Sequence, residues 1–168
     1  MMAETMVRMG EYAFSGTAGD MLVSLGLGSC IGLALLDRRA AVAGLAHVVL
    51  PAAEGREGAP GKFADTAVPV LLDAVLELGA RRMRLEAVLV GGASMFSFGG
   101  SGLEVGQRND AAVRSELAKL RVPVVAAETG GSKGRTVRVN VATGLVTSKA
   151  AGEAEVALFP KTLARVAA

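Results

Sequence analysis

The chain has 168 residues, of which 51% are hydrophobic and 20% charged, with a net charge of +2. Such a length fits one domain with a sizeable core, and such a composition argues against a disordered chain. Acidic residues alternate with basic ones, so clusters such as Arg81, Arg82 and Arg84 read as solvated surface and no nucleic-acid partner is expected.

The N-terminus, Met1 to Thr5, carries an acid and no apolar run, so no secretory signal is expected. Met21 to Leu36 is apolar and β-rich, broken by Gly26, Gly28 and Gly32. A polar break at Asp37-Arg38-Arg39-Ala40 separates it from a second apolar run, Ala41 to Leu50, that stops at Pro51. Two apolar runs around a short polar break suggest a β-hairpin. The longest apolar stretch, Ala40 to Ala53, holds His47 and Pro51 and is too short to span a bilayer, so no membrane insertion is expected.

After a loop from Ala53 to Gly61, Asp65 or Thr66 is expected to cap a helix with Pro69 in its first turn. Val68, Leu71, Leu72, Val75 and Leu76 recur at helical spacing, and Gly79 fits the residue just past the helix end. Leu85 to Val90 reads as a buried strand running into Gly91-Gly92. A second helix is expected with Asn109 as its cap and Val113, Leu117 and Leu120 on one face. Strands at Val122 to Ala127, Thr136 to Val141 and Leu145 to Ser148 follow, and from Ala150 onward the Ala-rich tail carries no pattern. Without a repeat or a linker, residues 1–168 read as one mixed α/β domain with an antiparallel portion.

The chain holds a single cysteine, Cys30, and a single histidine, His47. One cysteine forms no internal disulfide, and a reduced thiol fits the cytoplasm. A hairpin turn centred between Arg38 and Arg39 puts Cys30 directly across from His47, with Cβ atoms ~4.5–5.5 Å apart. An imidazole there takes the thiol proton, and the imidazolium both favours the thiolate and protonates a leaving amine. Gly26 and Gly28 leave room for a substrate, and the N–H groups of Ser29 and Cys30 are candidates for an oxyanion hole. Ser24 is the nearest upstream hydroxyl, on the face of Cys30 if the glycines leave the pleat intact; solvent or a backbone carbonyl is the other way to orient the ring. A buried structural cysteine and a satisfied core histidine compete evenly with this enzyme reading. Gly26, Gly28 and Gly32 do not match the dinucleotide fingerprint, and one Cys with one His leaves too few ligands for a metal.

Six strings occur together in one order: Leu25-Gly26-Leu27-Gly28-Ser29-Cys30, Ala46-His47-Val48-Val49-Leu50-Pro51, Lys62-Phe63-Ala64-Asp65-Thr66-Ala67, Gly91-Gly92-Ala93-Ser94-Met95-Phe96, Gly106-Gln107-Arg108-Asn109 and Glu128-Thr129-Gly130-Gly131. Over about residues 10–149 they resemble the chemoreceptor glutamine deamidase family, CheD. The resemblance implies an α+β, single-domain layered α/β/β sandwich with mixed and antiparallel sheets, similar to toxin deamidases of the cytotoxic necrotizing type. It implies hydrolysis of glutamine amides on methyl-accepting chemotaxis receptors to glutamate and ammonia, and an association with receptor methylester hydrolysis. A CheC-type phosphatase is the implied protein partner, and no cofactor is implied. The family's nucleophile falls on Cys30, its histidine on His47, and its third residue, usually threonine, on Ser24; Gly28 and Ser29 lie where substrate would bind. Another Cys–His amidase, peptidase or acyltransferase, or a regulatory binding module for a chemotaxis phosphatase, are the alternatives.

Overall fold

The computed structural model describes residues 3–94 and 101–161, the side chains of 101–104 excepted. In chain order the strands are β1 (Ala3–Met6), β2 (Tyr12–Ser15), β3 (Asp20–Leu27), β4 (Ile31–Asp37) and β5 (Val42–Val48). Then come helix α1 (Ala64–Glu77), β6 (Glu86–Gly91), helix α2 (Ser101–Lys119), β7 (Val124–Thr129), β8 (Arg135–Asn140), β9 (Val146–Ala150) and β10 (Glu155–Phe159). One sheet runs β2-β5-β4-β6-β7 and the other β1-β3-β8-β9-β10. The β1–β3 and β6–β7 pairs are parallel and the others antiparallel, so both sheets are mixed.

Two separate apolar layers show how these elements stack. Ile31, Leu33 and Leu35 of β4 pack with Leu71 and Val75 of α1 and Leu117 of α2. The alternate β4 residues Ala34 and Leu36 pack with Leu22, Leu27 and Val137 of the other sheet. Helices, middle sheet and outer sheet are therefore three layers, the α/β/β order that the family resemblance implies. β4 and β5 are buried along their whole length because both faces are covered, and a strand so placed reads as an unbroken apolar run. Among the described residues no helix is long and apolar enough to cross a membrane.

The sequence divides differently from expectation in several places. The run from Met21 to Leu36 is two strands in two sheets, since β3 pairs with β8 while β4 pairs with β5 and β6. The hairpin that follows pairs Gly32, not Cys30, with His47, because Arg38 to Ala41 all lie in the turn. Its turn is organised by the buried Asp37, whose carboxylate accepts hydrogen bonds from the N–H of Ala40 and Arg81 and the guanidinium of Arg84. Ala41 closes it in a left-handed conformation, at φ 55°.

Helix α1 begins at Ala64 with Phe63 in the cap position, two and three residues before the expected caps, so Pro69 lies beyond the first turn. Its C-terminus follows expectation: Gly79 is left-handed, its N–H meets Leu76 O and that of Ala80 meets Val75 O. That is the Schellman pattern. Helix α2 starts well before Asn109, which lies inside it. Strands β1, β2 and β10 were not anticipated, being short and lying at sheet edges where little apolar patterning is needed.

Burial pushes the Asp37 carboxyl up, but the hydrogen bonds from Arg84, Arg81 and Ala40 outweigh it and hold it below the usual carboxylate range. A depressed carboxyl stabilises the fold above the unfolded pKa of ~3.9 and loses that contribution as pH falls through the folded value. Asp37→Asn should lower stability at neutral pH by about 2 kcal/mol, read as a fall in urea midpoint. The gap from wild type should close in acid; a gap independent of pH would refute this account.

Candidate active site

Cys30 ends the three-residue link, Gly28 to Cys30, that carries the chain from β3 in the outer sheet to β4 in the middle sheet. The carbonyls of this link are all held. Gly28 O accepts from Ala93 N at 2.7 Å, Cys30 O from Gly92 N at 2.8 Å, and Ser29 O from the side-chain amide of Asn109 at 2.8 Å. Among the described residues the N–H groups of Ser29 and Cys30 meet no acceptor. Gly91 is required here: a Cβ on it would stand 2.2 Å from the Cys30 carbonyl oxygen. Gly130 N donates to Gly91 O and Ser94 N to Gly131 O, so the 129–131 segment braces the same link. Met95 and Phe96, the end of the Gly91 string, lie outside the described residues.

His47 stands near the end of β5, on the face shared with Ala43 and Leu45, which looks into the layer between the sheets. Cys30 belongs to that layer as well, and so does Ser24, on the strand face of Leu22. All three residues picked out as catalytic therefore converge on one layer. The register is offset from expectation, however. With Gly32 across from His47, Cys30 lies just beyond the paired ladder, two residues from the position opposite the ring. Gly32 keeps the position opposite the ring clear of any side chain, and a Cβ there would crowd Leu27 and Val137 at 2.9 and 3.0 Å.

The imidazole is oriented by a backbone carbonyl. His47 Nδ1 lies 3.0 Å from Val7 O, and Ser24 Oγ donates to that same oxygen at 2.8 Å. Ser24 thus does not bond the ring, as a direct orienting role requires; it fixes the carbonyl that does. Because a carbonyl only accepts, Nδ1 carries the hydrogen and Nε2 keeps the lone pair. Among the described residues this is the ring's one hydrogen bond, and none joins it to the Cys30 sulfur. Val7 itself is tied to β3 through its N–H, which donates to Val23 O at 2.7 Å.

Both titratable groups are pushed toward their neutral forms. Burial raises the Cys30 thiol above its ordinary value. Burial lowers His47, with the Val7 bond and the Glu11 carboxylate pulling weakly the other way. Burial therefore works against the thiolate–imidazolium pair expected from the sequence. A cavity of about 260 Å³ ends on His47, walled by Val7, Val23, Met6, Met9 and Leu25, with Met9 and Leu25 exposed at its lip. A larger cavity of about 620 Å³ lies at the opposite end of β4, beside Asp37 and Arg84. Among the described residues no group of three or more His, Cys, Asp or Glu side chains is placed to hold a metal ion.

Sequence reasoning missed Val7, whose contribution is a carbonyl and leaves no mark on residue type. It misplaced Asn109 as a cap, although its i, i+4, i+8 spacing with Val113 and Leu117 put it on the buried stripe of α2.

The family model and the curated relatives give one family. The family model for CheD chemotactic sensory transduction matches residues 49–150. The chain is 41% identical over 158 residues to a probable chemoreceptor glutamine deamidase CheD of Pyrococcus horikoshii, covering 92% of this chain and 97% of that protein. It is 40% identical over 149 residues to the chemoreceptor glutamine deamidase CheD of Thermotoga maritima, covering 89% and 93%. Among solved structures, the Neisseria meningitidis protein NMB0706 aligns with a TM-score of 0.49 at 10% identity, over 78% of this chain and 63% of its own. That likeness is too partial to carry a functional comparison.

A single histidine makes the site directly readable by NMR. The His47 ring should titrate below the ~6.5 of a free imidazole, with nitrogen shifts reporting a proton on Nδ1. A midpoint at or above the free value would show that the ring is paired with a charge and not buried neutral.

Proposed function

Because the chain belongs to the CheD family, we propose that it hydrolyses glutamine side-chain amides of chemotaxis receptors, with Cys30 as nucleophile and His47 as its proton partner. The observation that carries the mechanism is the shared inter-sheet layer of Cys30 and His47, with the ring held at Nδ1 by Val7 so that Nε2 remains basic. The amide carbon is attacked by Sγ while Nε2 takes the thiol proton, so charge separates only as the bond forms. The developing oxyanion is met by the N–H groups of Ser29 and Cys30, with Gly28 and Ser29 lining its approach. His47 returns the proton to the leaving nitrogen, and ammonia departs from a thioester on Cys30. Water then attacks the thioester with His47 again as base, releasing glutamate and the free thiol.

Ser24 acts in this scheme through Val7, by holding the carbonyl that sets the ring's tautomer. The cavity lined by His47, Arg8 and apolar side chains offers a protein segment a surface to dock beside the proton partner. A glutamate methyl ester enters the same acyl chemistry with methanol as the leaving group. The receptors' signalling domains put the reaction in the cytoplasm, and a CheC-type phosphatase is the protein partner this reading includes.

Mass spectrometry of receptor segments incubated with the protein should show glutamine converted to glutamate. Cys30→Ala should abolish conversion with an unchanged circular dichroism spectrum, and His47→Ala should slow it by several orders of magnitude. Ser24→Ala should lower kcat more than it raises KM, by less than either of those. The acid limb of kcat/KM should fall below pH ~6.5, since His47 must be neutral to take the proton. Full conversion by Cys30→Ala would remove the nucleophile, and no conversion by the wild type would favour a binding module for a chemotaxis phosphatase.

A further inference from the structure

The pairing of β4 with β5 stops at Ile31 and Val48, one residue short of the nucleophile. Beyond that point the strands part, and the N–H groups of Val49 and Leu50 turn away to Lys62 O. Ladder bonds therefore do not fix how far Cys30 stands from His47. One side chain spans the gap. Asn109, fully buried inside α2, donates from Nδ2 to Ser29 O at 2.8 Å and to Val49 O at 2.9 Å. Ser29 precedes the nucleophile, and Val49 lies two residues after His47.

We propose that Asn109 is a positioning residue that sets the Cys30–His47 separation by bridging Ser29 O and Val49 O with its two amide hydrogens. Both partners can only accept, so the amide has one usable orientation and both of its hydrogens are committed. Its Oδ1 is left buried and without a partner among the described residues. A buried unpaired acceptor costs stability, which a residue selected for packing alone would avoid. The seat of α2 is also built for this reach. Gly106, one turn before Asn109, lies so close to the Gly92 and Ala93 carbonyls that a Cβ would stand 2.6 and 2.7 Å from them. The N–H groups of those two residues hold Cys30 O and Gly28 O. Helix α2 thus grips the link from Gly28 to Cys30 at two points, and only Asn109 also grips the strand of His47.

This inference rests on the Cys–His reading, and a double-mutant cycle separates the two. Alkylation of Cys30 by iodoacetamide at neutral pH is measured for wild type, His47→Ala, Asn109→Ala and the double variant, each verified as folded by circular dichroism. Asn109→Ala should slow alkylation, and should add less than about twofold once His47 is absent, because coupled residues do not add. With receptor segments, kcat should fall on the order of 10²-fold at little changed KM, as expected for a displaced reacting group. If Asn109→Ala does not fold, Asn109→Ser, which keeps one donor, takes its place in the cycle and should give a smaller coupled loss. Equal slowing with and without His47 would reduce Asn109 to a stability role, and an unchanged rate would overturn the bridge. If His47→Ala alone leaves alkylation unchanged, the Cys–His pairing itself fails, and the bridge with it.

Discussion

A single carbonyl oxygen joins the two sheets at the site. Val7 O takes one hydrogen bond from Ser24, on a strand of the outer sheet, and one from His47, on a strand of the middle sheet. Val7 is itself hung on Val23 by its N–H, so the oxygen moves only with the outer sheet. The ring's tautomer, the direction of its basic nitrogen and the alignment of the layers at this end all depend on that oxygen. The Ser24 hydroxyl strengthens the arrangement without touching the ring.

Burial then sets the protonation states. The thiol is pushed up and the imidazole down by the same dry layer. An enzyme resting with a charged pair needs water or fixed charges to support it; this site has mainly apolar neighbours such as Leu27, Ala34, Leu45 and Val90.

Much of this was legible in the residues. The sole cysteine and the sole histidine, with a serine of matching parity, pointed to a candidate site, and all three lie in the layer between the sheets. The register was not legible, because it depends on Asp37 drawing Ala40, Arg81 and Arg84 around itself, and two of those partners lie far along the chain. The hairpin turn therefore took in Ala41 and moved His47 opposite Gly32. Asn109 was misplaced because local chemistry favours asparagine at helix starts, whereas here two distant carbonyls claim its amide. Strands β1 and β10 lie at sheet edges and need no long apolar pattern, so nothing in their composition announced them.

The link from Gly28 to Cys30 has a mechanical side. Packed sheets lie ~10 Å apart, and a chain covers at most ~3.3–3.6 Å per residue. Leu27 is still paired in one sheet and Ile31 already paired in the other, so the four steps between them leave little slack. The link is a short tether that carries the sulfur on its last residue, Cys30. Any change in side-chain volume between the sheets, at Leu27, Val137 or Val139 for example, alters the gap the tether must cross. The core thereby acts as a spacer gauge for the chemistry. A change in its volume would reach Cys30 through this link.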